Sequence, residues 1–164
     1  MKIERFEDLK RWQEARVLVN LVYRAIKESR NFQKDFRLCG QITAASVSSM
    51  SNIAEGFSRK SGKGFVQYLF ISKSSATEVQ SEAYVALDQG YIDQDTFNNI
   101  YEQAEKVSKL NSGLITYLLK VQNSKLTKPK KLHEPIKPNE LNKLNKLKKL
   151  HEPIKLNKPK HPPH

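Results

Sequence analysis

A chain of 164 residues with 29 Lys/Arg against 17 Asp/Glu carries +12 and suits one folded domain plus an appendage. Its single cysteine, Cys39, excludes an internal disulfide, and no apolar run approaches the roughly 20 residues that span a bilayer. With a start, Met1–Asp8, too charged for a signal peptide, a reducing cytoplasmic setting is expected, with no membrane partner.

Composition divides the chain near residue 122. All seven prolines and all four histidines follow that point, whereas every aromatic residue and all six glycines precede it. Residues 1–122 hold 17 Lys/Arg and 14 Asp/Glu, a net of +3, so the remaining +9 belongs to residues 123–164. The expected organisation is a domain over 1–122 and a low-complexity, disordered, Lys/Pro-rich tail over 123–164.

The first predicted helix runs from Glu7 or Asp8 to Glu28. Its apolar stripe is Leu9, Trp12, Val19, Tyr23 and Ile26, widened by Ala15, Leu18 and Val22. The second, Phe36 to Arg59, contains QITAASVSSMSNIAEGFSR, whose side chains are mostly small. Small residues let helices approach closely, which places this helix inside a packed bundle. Its polar end, Ser51–Gly56, must find partners on neighbouring helices or at a subunit interface. Ser61-Gly62-Lys63-Gly64 reads as a breaker.

A third helix is expected over Phe65–Leu87, closed by Gly90, and a fourth from Asp93 or Asp95 along Phe97, Ile100, Ala104, Val107, Asn111, Leu114 and Leu118. Asn111 is the one polar break in that seam. Within the third helix, Glu78 and Glu82 stand at i and i+4, a like-charge pair read as solvated. Four such helices joined by short loops predict an all-α fold, an antiparallel up-down-up-down four-helix bundle. In the tail, Lys130–Lys137 and Lys148–Lys155 both read KKLHEPIK, a repeat without a packing role.

Several chemistries are excluded. Residues 1–122 contain no histidine, so neither a ferritin-like di-iron site nor a Ser-His or Cys-His nucleophile can form there. No phosphate loop has the required spacing. The expectation is a protein without enzymatic activity, metal or cofactor.

The pieces Phe6-x-Asp8-Leu9-x-x-Trp12-x-x-Ala15, Gln41-Ile42 with Ala44-Ala45, Ser51-Asn52-Ile53-Ala54-Glu55-Gly56, Arg59 then Phe65, Ser74-Ser75 with Glu78, and Gly90-Tyr91-Ile92 resemble one family over about residues 3–121. It is the four-helix-bundle family encoded in intervening sequences of 23S rRNA genes, with the accessory variability protein of diversity-generating retroelements as a relative. The resemblance implies a homo-oligomeric ring, typically a pentamer, and for the retroelement relatives binding to nucleic acid and to a reverse transcriptase. Members usually carry arginine just after the Gln-Ile pair, where this chain has Thr43 and Ala44.

Two functions follow as expectations. In the first, RNA or DNA is bound electrostatically by Lys10, Arg11, Arg59, Lys60 and Lys63, which an up-down-up-down bundle gathers at one end. In the second, the chain is an oligomeric scaffold without a nucleic-acid partner, and Trp12, Asn52, Glu55 and Gly56 form the surfaces of self-assembly.

Overall fold

The computed structural model describes residues 3–59 and 61–127, with side chains to residue 124. Lys60 and the expectations placed on the tail repeat and its disorder lie outside the described residues. Within them the chain is all-helical, with five α-helices and no strand.

The first helix starts later than its pattern suggested. Phe6–Asp8 forms a 3-10 turn, in which the Asp8 carboxylate accepts from the Glu4 and Arg5 amides at 3.2 and 3.1 Å. Leu9 is extended (φ −75°, ψ 117°) and separates that turn from α1, Lys10–Glu28. The carboxylate taken for a helix start thus caps a tighter turn one step earlier. Ser29 ends α1 and caps an unforeseen short helix, α2 (Arg30–Lys34), accepting from the Phe32 amide. Asp35 opens α3, Phe36–Ser58, by accepting from the Leu38 amide at 3.0 Å.

The expected breaker is narrower than SGKG. Ser61 alone is the N-cap, and α4 spans Gly62–Asp88, so both glycines stand in its first turn. The first amides of a helix have no partner inside it, so glycine costs little there. Gly90, at φ +67°, turns the chain after α4 as expected. Asp93 caps α5, Gln94–Thr127, through the Thr96 amide at 2.8 Å. That helix continues five residues past position 122.

Phe32, Leu18, Ile42, Ile53, Leu69 and Ile100 are the largest fully buried side chains. α3 packs on α4, α4 on α5, and α1 on both α3 and α5. Hydrogen bonds tie these contacts together. Ser49 Oγ donates to the Ser72 carbonyl at 3.0 Å and Ser72 Oγ donates to the Ser49 carbonyl at 2.7 Å. Asn111 Nδ2 reaches Ser72 Oγ at 2.9 Å, joining α5 to the pair. Ser48 and Ser75 hydroxyls meet at 3.0 Å.

Two sequence expectations are corrected. The buried stripe of α1 is Ala15, Leu18, Val22 and Ala25, and Tyr23 is 53% exposed. Small alanines face the neighbours because the helices are close, which rotates the larger Tyr23 outward. Glu82, read as solvated, is 9% exposed, while Glu78 four residues earlier is exposed. Among the described residues no helix is long and apolar enough to cross a membrane.

Candidate functional site

Gly56 is the tightest point between α3 and α4. A Cβ there would lie 2.7 Å from both Phe65 Cδ2 and Tyr68 Cβ. Only glycine allows this approach, which brings Tyr68 beside the last turn of α3. Tyr68 Oη donates to Glu55 Oε1 at 2.7 Å. Arg59 Nη2 donates to the same oxygen at 2.8 Å, and its guanidinium carbon lies 5.2 Å from the centre of the Tyr68 ring. The hydrogen bond from Tyr68, then that from Arg59, holds the Glu55 carboxyl below the usual range. Glu55 and Gly56 therefore build the α3–α4 junction. Asn52 bonds back to its own helix instead, donating to the Ser48 carbonyl at 2.8 Å and Ser48 Oγ at 3.1 Å.

Lys63 is exposed in the first turn of α4 beside this junction, and Arg59 keeps about half of its side chain in solvent (53%). Both stand level with the far part of α5, because Gln122 Nε2 lies 3.3 Å from where a Gly62 Cβ would be.

Lys10 and Arg11 are elsewhere. Arg11 Nη1 donates to the Leu110 carbonyl at 2.8 Å, and burial lowers the pKa of this half-buried guanidinium. Leu110 and Gln122 are twelve residues apart on α5, roughly 18 Å at 1.5 Å per residue. Of the five cations expected as one patch, the four described ones thus divide into two groups along α5. Lys10 is moreover engaged: its Nζ lies 2.7 Å from Glu14 Oε1.

Glu14 is the residue that sequence reasoning missed. It is 5% exposed, and its carboxylate collects Lys10, Lys106 at 2.9 Å and Gln103 Nε2 at 2.8 Å. These bonds, led by that from Gln103, depress its pKa to about 2. The Lys10–Glu14 spacing of four was legible in the sequence; Lys106 and Gln103, about 90 residues away, were not. Trp12 is half-buried against the core, edge-on to Phe6 with ring centres 5.0 Å apart, and the Arg16 guanidinium lies 6.0 Å from its ring centre.

Comparison with curated proteins gives no match. Among solved structures, a crystal structure of a protein of unknown function from the S23 ribosomal protein family of Bacteroides thetaiotaomicron is similar, with a TM-score of 0.55 and 25% identity. The similarity covers 65% of this chain and 94% of that one. A family model described as 23S rRNA-intervening sequence protein matches residues 7–113, the span that carries α1, the NIAEG junction and most of α5. The chain belongs to the family of 23S rRNA-intervening sequence proteins.

Proposed function

We propose that this is a non-enzymatic, oligomeric, cytoplasmic four-helix-bundle protein that binds RNA or DNA through electrostatic phosphate contacts, as an accessory factor. Pairings of Ser49 with Ser72, Ser48 with Ser75, Gln80 with Tyr101 and Glu14 with Gln103 and Lys106 support an antiparallel up-down-up-down arrangement. In α3–α4, in α4–α5 (with Ser72 and Asn111) and in α1–α5 (with Arg11 and Leu110) a rise in residue number on one side accompanies a fall on the other. The observation that carries the nucleic-acid reading is the placement of exposed Arg59 and Lys63 at one junction, in a chain whose net charge is +12. Lys60 would add to them, and the +9 of residues 123–164 would raise affinity without adding sequence specificity. A homo-oligomer, a pentamer by family resemblance, would sum these fields. A reverse transcriptase is a candidate partner on the same ground.

The test is fluorescence anisotropy with labelled RNA and DNA on the full chain. Arg59→Glu with Lys63→Glu is expected to weaken binding severalfold while the oligomer persists. Unchanged affinity would place the phosphates elsewhere. Exposed Phe70, Ile71 and Val85 on α4 favour a second reading, a self-associating scaffold without nucleic acid. Absence of binding to either nucleic acid, with an intact oligomer, would select it.

A further inference from the structure

Among the described helices, α1 carries the largest net positive charge. This helix carries five cations, Lys10, Arg11, Arg16, Arg24 and Lys27, and only two carboxylates. One of the two, Glu14, is turned inward and consumed by Lys10, Lys106 and Gln103. From residue 15 to residue 27 the solvent face therefore presents no carboxylate. Arg16, Arg24 and Lys27 are exposed, and no ion pair to any of them occurs among the described residues.

Two aromatic rings alternate with these cations. Trp12, Arg16, Tyr23 and Lys27 are spaced four, seven and four residues apart, which aligns them on one side of the helix over roughly 22 Å. Trp12 already lies near a guanidinium, that of Arg16. Tyr23, 53% exposed, has no comparable partner among the described residues and borders an open hollow of about 670 Å³ that Arg24, Ile26, Lys27 and Glu28 also line. Charge complementarity names the occupant of such a face as a polyanion. An exposed ring beside a hollow between two cations adds a place for a flat group to stack. A single-stranded nucleic acid offers both, whereas a duplex keeps its bases stacked on one another.

We infer that α1 is a single-strand binding track, in which Tyr23 stacks on an unpaired base while Arg16, Arg24 and Lys27 hold the flanking phosphates. This rests on the nucleic-acid reading above but assigns a different surface and a specific form of the ligand. Glu28, at the rim of the hollow, opposes binding by its charge.

The experiment uses the full chain and a single-stranded RNA containing 2-aminopurine, whose fluorescence falls when it stacks. Tyr23→Ala is expected to abolish the quenching and weaken binding about 5- to 150-fold, the range for loss of one base–aromatic stack. Tyr23→Phe should retain both. Arg24→Glu with Lys27→Glu should weaken binding and flatten the salt dependence, and Glu28→Gln should strengthen binding. A duplex of the same sequence should compete poorly.

Quenching that survives Tyr23→Ala, or a duplex that competes as well as the single strand, overturns the assignment. Binding lost only in Arg59→Glu with Lys63→Glu also overturns it while leaving the broader function standing. Absence of binding by the native chain removes both.

Discussion

Gly56 sits where two helices touch, and its role is steric. With Phe65 and Tyr68 atoms 2.7 Å from a would-be Cβ, Gly56→Ala must push α3 and α4 apart or displace the Tyr68 ring. Overpacking of this kind costs about 1–3 kcal/mol, to be read from urea unfolding. The same variant should loosen the Glu55–Tyr68–Arg59 contact, since Tyr68 reaches Glu55 only because the helices are close. Two carboxylates act oppositely with pH. Glu14, depressed to about 2, contributes stability above the unfolded-state value near 4.3 that is lost as pH falls towards 2. Glu82 is raised to about 7, first by burial and then by Glu78, and its Oε2 is buried with no hydrogen-bond partner. Its folded form prefers the proton, so stability declines as pH rises from about 4.3 to 7 and is flat beyond. Glu82→Gln should therefore stabilise the protein at pH 8 by up to roughly 2–3 kcal/mol and change little at pH 4, measured by denaturation at both values.

At the scale of elements, the helices are held by caps at their ends and by a polar chain through their middle. Ser49, Ser72 and Asn111 are fully buried, on α3, α4 and α5 respectively. Ser72 is the central link, donating to Ser49 and accepting from Asn111. Removing its hydroxyl in Ser72→Ala strands the Asn111 amide, whose Oδ1 already lacks a partner, and deprives the Ser49 carbonyl of its donor from Ser72. The expected loss is about 1–3 kcal/mol in chemical denaturation. Asn111→Leu differs, because it removes the unpaired oxygen along with the donor. It should cost less than Ser72→Ala, and the comparison separates a polar pin from simple packing. The asparagine that interrupts an otherwise apolar seam is thereby explained: it crosses from one helix to the next.

For the whole molecule the relevant quantity is where charge remains available. Lys10, Lys106 and Arg59 are paired with carboxylates, and Arg11 is spent on a backbone carbonyl. Arg59 nevertheless keeps about half of its side chain in solvent, and with Lys63 and with Arg16, Arg24 and Lys27 of α1 it is among the cations that remain available. Phosphate binding through them releases counterions, so affinity of the full chain should fall at least tenfold between about 50 and 200 mM salt. A salt-insensitive association would point to apolar contacts instead. This dependence belongs to the molecule rather than to any residue, because the net +12 is the sum over many side chains, +9 of it in residues 123–164.

Much of this was legible in the chain order of residues. Helix positions followed from apolar spacing and from the signals at Asp93 and Gly90, because these act over a single turn; the Asp35 cap of α3 was found only in the structure. The small-residue α3 announced close helices, and the Asn111 break was legible as a polar interruption, though its crossing to Ser72 was not. What depended on contacts between distant segments was not legible. Tyr23 shared the apolar period of α1 yet faces solvent, because the alanines are what the neighbouring helices contact. Glu82 fitted a solvated pair yet is buried beside Ser75 and Ala86 in the inner stripe of α4. The cations expected at one end fell into two groups, since the level of Arg11 is set by Leu110, a residue 99 positions away. Local periodicity determines which segments become helices; the rotation and level of each helix are decided only when the faces pack, and those choices settle which charges stay free.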